Sequence, residues 1–178
     1  LADDMIAQGI NPAKARTAAA AAEGGPMAPH EVAVAGGGSV QVVPKVVEAS
    51  SLTSSADKGY DVSLQPRNRA RAASDAQVKD IANNLNPARL GVSSEADRGA
   101  PIVGPDKMVE SGNGRLLALR RAYSEDGPQA RQYRKWLESQ GVDVSKYKEP
   151  VLVRERATQM TPDERRAFTL GANQSATL

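Results

Sequence analysis

Apolar residues come in short runs punctuated by proline, glycine and asparagine, and the spacing within each run predicts its element. Residues 1–23 read as two short helices: Gly9 closes the first, and Asn11 with Pro12 opens the second as N-cap and first-turn proline. The alanine run from Ala18 to Ala22 favours helix but has little to bury. Residues 24–41 are rich in Gly, Pro and Ala and read as a flexible linker, which leaves 42–178 as the folded domain. At its start Val40, Val42, Val43, Val46 and Val47 supply a β-branched strand. Pro44 interrupts it and argues for an edge position or a strand start. Ser74 with Gln77 forms a capping box, Val78, Ile81, Ala82 and Leu85 make a helical stripe, and Asn86-Pro87 ends it.

Further along, Pro101-Ile102-Val103-Gly104, a turn at Pro105-Asp106-Lys107 and Met108-Val109-Glu110 predict a hairpin. Gly112-Asn113-Gly114 then breaks the second strand, and a helix follows with Leu116, Leu117, Leu119 and Ala122 on its buried side. Pro128 starts another helix, facing Tyr133, Trp136 and Leu137 inward, and Val151-Leu152-Val153 is a buried-type strand. Thr161-Pro162-Asp163-Glu164 combines N-cap, N1 proline and capping-box glutamate, and its helix should run to about Gly171. Strands and helices mix without βαβ regularity. The expected class is α+β, loosely α/β, with a small mixed sheet flanked by helices.

Composition narrows the chemistry. There is no Cys, which excludes disulfides, thiolate metal sites and cysteine nucleophiles, and the single histidine, His30, argues against a Ser-His-Asp triad or a multi-His zinc site. No apolar run approaches the roughly 18 residues a membrane span needs. The chain begins with Leu and lacks a basic-then-apolar signal pattern, so it reads as a cytoplasmic piece of a larger polypeptide. Net charge is only +2, but Arg67, Arg69 and Arg71 crowd one short segment, and Arg suits bidentate phosphate contacts. Nucleic-acid contact is permitted by this pattern and not demanded by it.

Three motifs could carry function. In Glu110-Ser111-Gly112-Asn113-Gly114-Arg115, two glycines let the backbone approach a ligand, the amides opening the next helix face an anion, and Arg115 adds a guanidinium fork. A plain tight turn is the competing reading. Gln65-Pro66-Arg67 is a stiff loop that could direct an amide and a guanidinium, or simply a surface turn. Asn173, in Ala172-Asn173-Gln174-Ser175, is a C-cap or a carbonyl donor to a metal ion or a base edge.

Taken together and in this order, the three boxes resemble the ParB/sulfiredoxin superfamily. Gly99-Ala100-Pro101-Ile102-Val103 and the stretch from Val109 to Leu119 look most like the DdrB-like ParB domains of large phage and plasmid proteins. The resemblance implies a nucleotide, ATP or CTP, with Mg²⁺. Gly112, Asn113, Gly114 and Arg115 would grip its phosphates, Gln65 and Arg67 would approach it, and Asn173 would stand near the metal. Asn113-Gly114-Arg115 replaces the family's Glu-Arg-Arg, and the glutamate and final arginine of the C-terminal motif are missing.

Two functions follow as expectations. The first is a nucleotide-binding domain with Mg-dependent NTPase or DNase activity, with Glu110 as the best-placed catalytic carboxylate and Asp61 and Glu164 as weaker candidates. The second is a non-catalytic DNA-binding or scaffold module of a mobile-element protein, contacting phosphates through Arg67, Arg69, Arg71, Arg120 and Arg121.

Overall fold

The computed structural model describes residues 27–64 and 71–173, with side chains left undescribed at 71–74. The two helices expected within 1–23 lie outside this range. Five strands, β1 (His30–Ala33), β2 (Ser39–Glu48), β3 (Ile102–Val103), β4 (Val109–Ser111) and β5 (Pro150–Arg156), form one sheet in the order β1-β2-β5-β3-β4. Only β3 and β5 run parallel; the other neighbours are antiparallel. The described α-helices are α1 (Arg71–Asn83), α2 (Asn113–Glu125), α3 (Pro128–Ser139) and α4 (Pro162–Ala172). The expected α+β class, a small mixed sheet with flanking helices, is what the chain adopts. Among the described residues no helix is long and apolar enough to cross a membrane.

β5 is the centre of the sheet, paired with β2 on one side and β3 on the other. Its Val151, Leu152 and Val153 are essentially inaccessible, as a strand covered on both faces requires. Ile102 and Val103, adjacent in β3, enter two different buried clusters, because successive side chains point to opposite faces. The larger cluster gathers Val103, Val109, Leu116, Leu119, Tyr133, Leu137 and Val153; the smaller gathers Val32, Val40, Val42, Ile102 and Phe168.

β1 falls inside the stretch expected to be linker, and β2 begins there too. Gly36, Gly37 and Gly38 all take positive φ, so the glycine run that looked like a spacer is the turn of a hairpin. Val32 is thereby placed at 0% exposure against Val42 and Phe168. Pro44 sits where β2 has outrun β1, whose register stops at Val42. Opposite it, Arg154 sends its N–H toward Pro101 and away from β2, so Pro44 occupies a non-hydrogen-bonded pair and its missing donor faces the uncovered side.

Other details differ from expectation. α1 begins at Arg71, so Ser74 lies within it and is not its N-cap; Arg71, Ala72 and Ala73 are strong helix formers that extend it upstream. Leu117 is half-buried, and Ala118 takes a fully buried position in α2 instead. The hairpin β3–β4 forms as expected, closed by Lys107 N–H to Gly104 O at 2.9 Å. The capping box at Thr161 and Glu164 is complete on both arms.

Candidate functional site at the turn from β4 to α2

Gly112 is the N-cap of α2 and has φ 93, ψ 30, a left-handed conformation that glycine adopts without a Cβ clash. This geometry turns the chain sharply from strand to helix. The N–H groups of Asn113, Gly114 and Arg115 belong to the first turn and have no intrahelical acceptor, while Leu116 N–H begins the ladder to Gly112 O at 3.0 Å.

Each residue of the turn has a distinct setting. Asn113 is 8% exposed; its Oδ1 accepts from Ser55 N–H at 2.8 Å, while its Nδ2 is buried without a hydrogen-bond partner. That contact ties the 52–57 loop to the start of α2. Gly114 is different: a Cβ built there would meet nothing within 4 Å. Arg115 folds back over its own turn. Its Nη1 donates to Gly99 O and its Nη2 to Ser111 Oγ at 3.2 Å. A Cβ on Gly112 would fall 2.8 Å from Arg115 Nη2, so glycine is also what lets the guanidinium lie there.

Burial pushes the Arg115 pKa down to about 10, opposed by the nearby Asp97 carboxylate, which leaves the group charged at neutral pH. Among the described residues no carboxylate is in ion-pair contact with it. Among the described residues the turn therefore presents open space at Gly114, amides without an intrahelical acceptor, the positive end of a helix dipole and a cation lacking a direct counter-ion.

Asn173 caps the C-terminus of α4, and its Nδ2 donates to Thr169 O at 2.6 Å and to Glu110 O at 2.9 Å. Tertiary folding thus brings the last motif against the residue that precedes Ser111, next to the Gly turn. Ser111 Oγ lies 2.8 Å from Ala96 O and 3.0 Å from Ala172 O, which closes the same junction.

Glu110 is placed otherwise than a catalytic carboxylate would be. It is fully buried, with Arg156 Nε 2.7 Å from Oε1, Arg156 Nη2 2.9 Å from Oε2 and Arg165 Nε 2.6 Å from Oε2. Arg165 also holds Asp106 through two bonds of 2.8 Å. Both oxygens of Glu110 are spent on guanidiniums beside Gly104, so its role is to lock the hairpin to β5 and α4. Of the weaker candidates, Asp61 accepts from Ser63, and Glu164 completes its capping box. Asp61, Asp106, Arg156, Arg165 and Arg166 line a cavity of about 360 Å³, with acidic and basic groups both represented.

Two of the five arginines expected at DNA, Arg120 and Arg121, have partners within the chain. Arg120 donates to Leu52 O at 2.8 Å and pairs with Asp57 at 3.0 Å, pinning the 52–57 loop. Arg121 pairs with Glu125 one turn along the helix at 3.0 Å. Gln65, Arg67 and Arg69 lie outside the described residues, and Arg71 opens α1 with its side chain undescribed.

One residue at the heart of this region carries no local signal in the sequence. Arg154, the fourth position after Pro150 in the central strand, is 0% exposed and donates to carbonyls of the 93–100 loop. Nothing in its spacing distinguishes it from a strand residue facing solvent.

Comparison with known proteins gives one result. Residues 35–157 match the family model of the ddrB-like ParB superfamily domain; the match spans the Gly turn and Arg115 and ends before α4 and Asn173. Comparisons with curated proteins and with solved structures returned no match. The match covers well over half of the 178 residues, and the chain belongs to the ddrB-like ParB superfamily.

Proposed function

We propose that the domain binds the phosphates of a nucleotide, ATP or CTP, at the turn from β4 to α2. The observation that carries this is Gly114. A glycine inside a helix costs about 1 kcal/mol relative to alanine and is usually excused by positive φ or by crowding. Gly114 has neither: it is helical and has open space where its side chain would be. An uncovered first turn lets a bulky anion reach the backbone amides, which a side chain would block. Arg115 stands beside it with N–H groups left over after its two bonds, and a guanidinium fork suits phosphate oxygens.

Magnesium fits this reading only through the nucleotide. Among the described residues no three His, Asp or Glu side chains converge as a metal site. Mg²⁺ commonly keeps several waters and binds substrate phosphates with few protein ligands, and Asn173 could add its side-chain oxygen, since its amide nitrogen is the atom committed to Glu110 and Thr169. With Glu110 enclosed by arginines, the proposal is one of binding. Turnover of ATP or CTP and nicking of plasmid DNA are separate assays, as is the domain's place in a larger phage- or plasmid-type protein.

The test is a thermal-shift panel of ATP, CTP, GTP and their diphosphates with Mg²⁺. A ligand at a hundredfold excess over its Kd stabilises the native state by about 2.7 kcal/mol. Gly114→Ala should leave the unliganded protein as stable or slightly more so while abolishing the shift, and Arg115→Ala should abolish it too. If no nucleotide moves the melting curve and duplex DNA instead binds with a steep salt dependence, the DNA-module reading replaces this one.

A further inference from the structure

The 93–100 loop crosses the site with little regular structure of its own, yet its carbonyls point inward together. Arg154 gathers them. Its Nε donates to Ala100 O at 2.8 Å, its Nη1 to Ser93 O and Glu95 O at 2.8 Å each, and its Nη2 to Arg98 O. The backbone N–H of the same residue donates to Pro101 O at 2.8 Å. A guanidinium with no exposed surface and no carboxylate in contact among the described residues is an expensive occupant for a central strand, tolerated because its donors are satisfied. Valine in its place would remove the donors that Ala100 O and Arg98 O meet.

The loop so held is the one that catches Arg115. Gly99 takes φ +81, and a Cβ there would lie 2.6 Å from Gly91 O and 2.7 Å from Ser93 Cβ, so the loop is packed tightly at that residue. Its carbonyl receives Arg115 Nη1. One chain of contacts therefore runs from the centre of β5, through backbone carbonyls, to the cation over the Gly turn. The two guanidiniums also lie close enough for Arg115 to act on Arg154, and among the described residues Asp97 is the carboxylate acting on both, so a second positive charge stands behind the turn.

We infer that Arg154 is a positioning residue for the anion site: it fixes the 93–100 loop so that Gly99 aims Arg115 across the turn, without itself touching the ligand. This rests on the phosphate-binding reading above, and the experiment separates the two. In the full chain with isotope-labelled arginine, the Nη–H resonances of Arg115, which report its bonds to Gly99 O and Ser111 Oγ, are followed by NMR, and binding of ATP with Mg²⁺ is measured by calorimetry. In the native protein the Arg115 signal should be discrete and slow to exchange with water. In Arg154→Lys, which keeps the charge and loses the fork, that protection should vanish and ATP affinity should fall about tenfold, the size of one lost charge-assisted hydrogen bond. An Arg115 signal as protected in Arg154→Lys as in the native chain overturns the positioning role, whatever ATP does. Loss of protection in the variant, with a native chain that binds no ATP, upholds the contact chain and sinks the phosphate reading.

Should Arg154→Lys fail to fold, Arg115→Ala gives the direction of the dependence by hydrogen exchange. The amides of Ala96 and Ala100, bonded to Ala33 O and Gly91 O, should stay protected, because Arg154 holds the loop independently of Arg115. Exchange there at the rate of an open loop overturns the inference.

Discussion

Glu110 shows how a residue's surroundings decide its work. As a sequence feature it is a carboxylate two positions before a glycine turn, well placed for chemistry; in the fold its two oxygens serve Arg156 and Arg165. Glu110→Gln keeps the shape and removes the charge, leaving Arg156, 5% exposed, buried beside a neutral amide. Breaking a buried pair in this way costs about 3–5 kcal/mol, and urea denaturation at neutral pH should show a loss of that size. Asp106, on the outer side of the same network, sets a pH dependence. Its hydrogen bonds from Arg165 hold its carboxyl below the usual carboxylate range despite partial burial. Because the folded value lies below the unfolded one of about 3.9, its contribution is fully present above about pH 4. It is lost as pH falls through the lowered folded value. The urea midpoint plotted against pH should therefore drop on the acid side, and Asp106→Asn should flatten that limb. An acid limb of the same depth in the variant would remove Asp106 from the account.

At the scale of elements, the hairpin of β1 and β2 matters more than its composition suggests. Its turn runs through three glycines at positive φ with open space where each side chain would be, so these three contribute geometry and no packing. What anchors the hairpin is Val32, fully buried beside Val40, Val42 and Phe168. Val32→Ala should cost about 2 kcal/mol, two buried methyl groups plus the cavity they leave, read as a shift in thermal or urea midpoint. A cost near zero would mean that β1 is a loose flap whose pairing adds nothing. The helices were easier to foresee. The start of α4 is written locally in Thr161, Pro162 and Glu164, since a capping box needs only residues three apart. The hairpin of β3 and β4 was equally plain, because proline, glycine and aspartate mark its turn. β1 was missed because a four-residue strand has too few side chains to establish a period, and a run of glycines is equally the mark of a spacer.

At the scale of the whole molecule, the two buried clusters are joined through β3, whose neighbours Ile102 and Val103 enter one each. They should melt together. Fluorescence of Trp136, the single tryptophan, reports on the larger cluster, and far-UV circular dichroism reports on the full sheet and helices. The two urea transitions should coincide, as two-state unfolding requires; separated midpoints would show the hairpin of β1 and β2 unfolding on its own. The same connectivity explains what could be read in advance. Family, fold class and the position of the Gly turn rest on short-range patterns: apolar spacing, caps, turn residues and a compact motif from Val109 to Leu119. Those interactions span a few residues and so leave their mark in the linear order. The partners of Glu110, the carbonyl cage around Arg154 and the docking of Asn173 onto β4 join residues 46 to 63 positions apart. For contacts of that range the linear order records only which donors and acceptors exist; which of them meet was decided when the sheet brought β4, β5 and α4 together and buried charges had to find partners away from water.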